Sequence, residues 1–224
     1  MPLVSHLRRF LSCCLLAVPV LAHADAPPTP SLSAGTSTFL AKYVNAEGNV
    51  NYAAIKRNPV ELKALLRRVE TFNAAAARPA EREAFYLNAY NLLVIGEVVA
   101  RYPLESVQKV PGFFDKNLVS VAGEKLTLND LEAKKLRQPY AATQLDAQLT
   151  TQARKVLQDP TFIRVDNKAG KVQLSQIFKW YEADFKASGK TGVAYVNQFR
   201  EGKAIPATYA VDYYVYDWAL NNQK

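Results

Sequence analysis

The chain has 224 residues, 28 Lys and Arg against 20 Asp and Glu, two cysteines and two histidines. Cys13, Cys14, His6 and His23 all fall in the first 24 residues. From Asp25 onward there is therefore no thiol nucleophile, imidazole base or disulfide, and no metal site that needs either residue.

The first 24 residues read as a secretory signal peptide. Arg8 and Arg9 supply the basic start, Phe10 to Leu21 the apolar run, and Ala22-His23-Ala24 the small-x-small cleavage pattern. The apolar run is too short to span a bilayer comfortably. Cleavage is expected after Ala24, with export to the periplasm or medium and no transmembrane span thereafter. Losing Arg8 and Arg9 leaves 26 basic against 20 acidic side chains, a net of +6. This charge is scattered, with no basic run and no Gly-rich phosphate loop. It reads as the solvated surface of an exported protein, and the compartment argues against a nucleic-acid partner. No cofactor is expected. With 49% apolar residues, the chain can bury a good core.

Asp25 to Gly35 and the following residue, 25–36, read as a spacer carrying Pro27, Pro28 and Pro30. A helix is expected from about Ser37, then a turn over Asn45 to Asn49, with Val50-Asn51-Tyr52 leaving it extended. Asn58-Pro59-Val60-Glu61 predicts a helix start capped by Asn58, followed by Leu62, Leu65, Leu66, Val69 and Phe72 at helical spacing. Pro79 opens a long helix that should end before Pro103. Its centre, Ala84 to Tyr102, is apolar almost all round, the pattern of a buried helix. Two stripes break it: Tyr86, Tyr90 and Glu97, and Asn88 with Asn91.

Pro103 to Val110 suggests a short helix closed by Pro111-Gly112. Leu118–Val121 and Lys125–Leu128 flank Ala122-Gly123-Glu124 as a hairpin, and Thr127 or Asn129 can cap the helix after it. Thr143 can cap a helix carrying Leu145, Leu149, Ala153, Val156 and Leu157. A second hairpin is read from Phe162–Val165 and Lys171–Leu174. Ser175 then caps a helix with Ile177, Phe178, Tyr181 and Phe185. Val193–Phe199 follows as a short helix, and Tyr213–Trp218 as an aromatic extended end. The fold class is α+β: a single domain over 37–222, mainly helical around a buried central helix, with two short antiparallel β-hairpins.

The order of these motifs resembles the bacterial DUF547 family, a domain of unknown function. The residues that carry the likeness are Ala84-Phe85-Tyr86-Leu87-Asn88-Ala89-Tyr90-Asn91, Tyr102-Pro103, Gly112-Phe113-Phe114-Asp115, Val121 to Glu132, Leu174 to Tyr181, and Tyr216-Asp217-Trp218. The resemblance also marks departures. Where the family pattern continues with a histidine, this chain has Ala133. Where it runs through a Gly-Cys-Pro-like turn, Leu136-Arg137-Gln138 passes directly into Pro139-Tyr140. If the family uses a Cys/His pair, this member lacks both partners.

Asn88 and Asn91 are read as amides that tie the buried helix to neighbouring backbone, or else orient a ligand on it. Tyr90 borders the core or a cleft. Asp115 and Lys116 follow two aromatics in a loop, where functional side chains concentrate. Asp115 and Glu132 are the candidate catalytic carboxylates, if the fold brings them together. Asn129, Asp130 and Glu132, in the first turn of a helix, otherwise cap it and complement its dipole. Asp217 and Trp218 are read as structural polar and aromatic positions. Tyr214, Tyr216 and Trp218 would share one face of a strand and could stack on a glycan. The expectation is a non-catalytic exported domain, a possible pseudoenzyme that binds an envelope protein or glycan. The alternative is an envelope hydrolase or transferase that works with carboxylates.

Overall fold

The computed structural model describes residues 31–136, 144–160 and 162–223. The signal-peptide, proline-spacer and Thr143-cap readings therefore lie largely or wholly outside the described residues. The described residues form two compact units, one of 31–136 and 144–145 with 218–223 returning to it, the other within Asp146–Asp217. The sequence pattern predicts one domain over 37–222. Among the described residues no helix is long and apolar enough to cross a membrane.

In the N-terminal unit, α1 spans Leu32–Tyr43. It starts five residues before the expected Ser37, because the Ser31 hydroxyl accepts from the Ala34 amide and caps it. Ser33, Thr36, Phe39, Leu40 and Tyr43 are buried along it. The extended reading of Tyr52 is corrected. Tyr52–Arg57 is a helix, α2, capped by the Asn51 side chain on the Ala54 amide, with Tyr52 and Ile55 turned inward. α3, Val60–Thr71, begins one residue later than the expected cap allows. Pro59 stands at the cap position without a side-chain bond, and Glu61 reaches Lys42 at 2.6 Å instead.

The central helix, α4, runs Pro79–Arg101 with Pro79 in its first turn, within the bounds its two prolines set. Every residue from Glu83 to Leu93 is buried. α4 packs against α1, α2 and α3 and against the helical residues Leu128–Leu131 and Glu132–Leu136. Phe85 stacks on Phe72 at 3.9 Å and 11°. Gly96 lets α3 close in: a Cβ there would meet Leu66 at 3.1 Å. The expected helix over Pro103–Val110 shrinks to one 3₁₀ turn, Val107–Lys109.

β1 (Val119–Val121) and β2 (Glu124–Leu126) form the predicted hairpin, with Val121 opposite Glu124. Its two-residue turn has φ of +49° at Ala122 and +78° at Gly123, the left-handed pair that a tight hairpin demands. The turn also docks on α3. Ala122 and Gly123 donate their amides to the Val69 and Glu70 carbonyls, both at 2.8 Å, which supplies acceptors otherwise orphaned at a helix end with their donors. Thr127, rather than Asn129, caps α5 (Leu128–Leu131) by accepting from the Asp130 amide at 3.0 Å. A π-helical turn, Glu132–Leu136, extends it.

The end of the chain is stitched into this unit, and nothing in the sequence reading anticipated it. Val50 bridges Asn222 in parallel and Ser106 bridges Ala219 antiparallel. The Val50 amide donates to the Asn221 carbonyl at 2.7 Å, and the Val50 carbonyl accepts from the Gln223 amide at 3.0 Å. The Gln223 side chain donates to the Tyr43 and Asn49 carbonyls at 3.1 and 2.9 Å. The Tyr52 hydroxyl donates to Asn221 at 2.9 Å. The fully buried Val50 thus has both backbone groups paired.

In the C-terminal unit, most of α6 (Gln144–Gln158) buries Leu149, Ala153 and Leu157. β3 (Ile163–Asp166) and β4 (Lys171–Ser175) make the second expected hairpin. β5, Ala210–Tyr214, then adds to β4 in parallel and makes the sheet three-stranded. The helix expected after Ser175 breaks at Tyr181 into α7 (Ile177–Trp180) and α8 (Glu182–Ala187). α9, Gly192–Asn197, follows. Leu157, Val172, Leu174, Phe178, Phe185 and Tyr195 are part of one buried cluster.

Candidate functional site

Asn88 is wholly buried, and neither its Oδ1 nor its Nδ2 has a hydrogen-bond partner among the described residues. The expected tie from this amide to neighbouring backbone is therefore not formed. Asn91 is buried three residues on, and Tyr90 beside it. These three residues sit on the innermost element of the unit and belong to its packing.

Asp115 is exposed on a turn that opens at Gly112. That glycine has φ +75°, and a Cβ on it would come within 2.6 Å of the Lys116 Cβ, so the Gly-Phe-Phe-Asp-Lys turn requires it. The Lys116 and Asn117 amides both donate to the Gly112 carbonyl at 3.0 Å. Phe113 is buried, and Phe114 meets Phe113 and Trp218 at 4.8 and 6.0 Å between ring centres. Trp218 is thus used in packing on this turn. The Phe114 carbonyl accepts the Asn129 amide at 2.9 Å, which joins the turn to the start of α5 through backbone. The Asp115 carboxylate remains in solvent, while Glu132 opens the π-helical turn that also holds Ala133.

The first turn of α5 does what an N-terminal acid should. Lys134 and then the Thr127 hydroxyl hold the Asp130 carboxyl below the usual range. Lys134 lies 2.9 Å from Asp130, and Thr127 donates to it at 2.9 Å. Lys135 turns the other way, onto Glu124 at 2.5 Å and over the Tyr86 ring at 5.8 Å. Glu124 holds its ammonium above the usual lysine range. The Tyr86 end of the tyrosine stripe is accordingly covered. Glu97, at the other end, pairs with Arg101 at 2.8 Å.

The aromatic end does not form one face. Tyr214 donates its hydroxyl to the Phe162 carbonyl at 3.0 Å and has Arg164 over its ring at 4.2 Å. Tyr216 meets Trp180 at 5.7 Å, and Trp218 goes to Phe114. The strand stops at Tyr214, so the alternation that would align the three rings stops with it. Asp217 is exposed.

A concavity in the N-terminal unit lies elsewhere. A groove of about 420 Å³ runs between α3, α4 and β1, walled by Lys63, Leu66, Arg67 and Glu70, by Leu93 and Glu97, and by Leu118, Val119 and Ser120. That is the lower part of the range for ligand sites. Of the residues selected from the sequence, only Glu97 of the tyrosine stripe borders it. Leu118 is 62% exposed, a large apolar side chain presented to solvent. Among the described residues no group of three or more His, Cys, Asp or Glu is arranged to hold a metal ion. The groove offers apolar surface, a strand with the Ser120 hydroxyl, the cations Lys63 and Arg67, and the acids Glu70 and Glu97.

No curated protein and no solved structure matches this chain. A family model does match, that of DUF547, described as "Protein of unknown function". The matched segment starts before α4 and ends in the loop between β3 and β4. It contains the central helix, the first hairpin and α5, the parts on which most of the resemblance in the sequence rests. Residues 75–168 of this chain are a match to the DUF547 family.

Proposed function

We propose that the chain is a non-catalytic, exported DUF547-like domain that binds a component of the cell envelope through the groove between α3, α4 and β1. The observation that carries the reading is the composition of that groove: exposed Leu118, a strand, and the cations Lys63 and Arg67. Such walls serve contact with a partner. The residues chosen for chemistry are used otherwise: Asn88 is buried, Trp218 packs on Phe114, and the Asp115 carboxylate lies in solvent. Export is supported by the leader-like first 24 residues and by the confinement of both cysteines to them. Expression of the tagged chain in a bacterial host, followed by fractionation and intact-mass measurement, tests this part. The reading expects a periplasmic product beginning at Asp25. An uncleaved cytoplasmic product would refute it.

A further inference from the structure

Among the described residues β1 pairs with β2 on one side only, and its two-strand sheet has no third member. The tight turn at Ala122-Gly123 makes Val121 and Glu124 a hydrogen-bonded pair. Bonding alternates along an antiparallel strand, so Val119 also bonds to β2, whereas the amide and carbonyl of Ser120 point away from it. Leu118, Val119 and Ser120 all border the groove. Successive strand residues face opposite ways, so a groove touched by residues of both parities runs along the edge of β1 and not over one face.

The charges beside this edge are not balanced. Lys63 and Arg67 are four apart on α3, and like charges at that spacing disfavour each other. Among the described residues neither makes an ion pair, while Glu97 is already paired with Arg101. Glu70 lies at the hairpin-turn end, where its carbonyl accepts from Gly123. The far end of the groove is therefore cationic.

Resting on the binding-domain reading above, we infer that the open edge of β1 takes an extended, acidic segment of another polypeptide as a third strand. The incoming backbone pairs with Ser120. An apolar side chain of the segment lies against Leu118 and Leu66, and its carboxylates lie at Lys63 and Arg67, away from Glu70. Strand addition of this kind draws affinity from main-chain bonds and selectivity from alternate side chains.

The test is a titration of ¹⁵N-labelled protein, followed by amide chemical shifts. The probes are an alternating Val/Asp hexapeptide, its Val/Lys counterpart, the acidic peptide N-methylated at alternate residues, chitobiose as a glycan, and vesicles rich in phosphatidylglycerol. The acidic peptide should shift Lys63, Arg67, Leu118 and Ser120. The Val/Lys peptide and one of the two N-methylation registers should not. Lys63→Glu/Arg67→Glu should weaken acidic-peptide binding about tenfold, with an unchanged spectrum away from the groove. Failure of the acidic peptide to shift these residues, or equal binding of both N-methylated registers, overturns the inference. If chitobiose or vesicles shift the groove and the peptide does not, strand addition falls while the binding domain stands. If no probe reaches the groove, both fall.

Discussion

Asn88 offers a test whose sign is fixed in advance. The residue is fully buried in the middle of α4, and both its polar atoms lack partners among the described residues. An unsatisfied buried amide costs about 1–3 kcal/mol, whereas an apolar group of the same shape carries no such penalty. Leucine is close to asparagine in branching and better by about 0.5 kcal/mol as a helix former. Asn88→Leu should therefore stabilise the protein by about 2 kcal/mol. For a chain of this size that raises Tm by about 4–8 °C. Thermal melts by circular dichroism, with urea titrations to convert midpoints into free energies, measure it. The usual outcome of a substitution in a packed interior is destabilisation, so a gain is a demanding expectation. A lower Tm for Asn88→Leu would show that the amide holds a partner, and that α4 is more than architecture.

Three further expectations follow from local geometry. Ala122 sits at φ +49°, which an alanine tolerates poorly and an asparagine well. Ala122→Asn should gain about 1 kcal/mol in urea unfolding, and a loss would contradict the turn. Gln223→Ala removes two side-chain donors from the Tyr43 and Asn49 carbonyls. Each carbonyl keeps another donor, Asn51 and Asn45 respectively, so the cost should be about 1–2 kcal/mol. No effect on melting would mean the tail is not docked. Burial pushes the Tyr52 hydroxyl well above its ordinary value of 10.0. The unfolded chain then ionises first, so this contribution is intact below pH 10 and declines as pH rises further. Tyr52→Phe should flatten the alkaline fall in stability measured by urea unfolding across that range. An unchanged slope would sink this assignment.

The helical core was legible where a local signal exists. Pro79 and Pro103 bracket α4, and its ring of apolar residues announced burial that the structure shows from Glu83 to Leu93. Both hairpins followed from alternating apolar runs around Ala122-Gly123 and Asp166–Gly170. Short or long-range features were not legible. α2 is six residues long, and its signals were the Asn51 cap and Tyr52 with Ile55 three apart. β5 pairs in parallel with β4 across some forty residues, which no periodicity encodes. Asn221, Asn222 and Gln223 look like a solvated terminus, yet their amides bond to residues more than a hundred positions away.

The site failed to show for a related reason. Asn88, Asp115 and Asn129 stand out in the sequence as polar residues in unusual company, and Trp218 as an aromatic beside an acid. The groove is built from Lys63, Leu66, Arg67 and Leu118, ordinary residues whose meaning arises from the edge of β1 lying beside α3. One signal was available: Leu118 opens the apolar run of the first strand, yet lies out of phase with the buried Val119 and Val121.

Recognition on the β1 edge, and not on the buried helix, can be measured directly. Fluorescence anisotropy of a labelled Val/Asp hexapeptide against three proteins tests it most directly: the unsubstituted chain, Leu118→Asp and Asn88→Leu. Asn88→Leu should bind as the unsubstituted chain does, and Leu118→Asp should weaken binding about tenfold while melting normally. Unchanged binding by Leu118→Asp together with lost binding by Asn88→Leu would contradict it and return the site to the central helix.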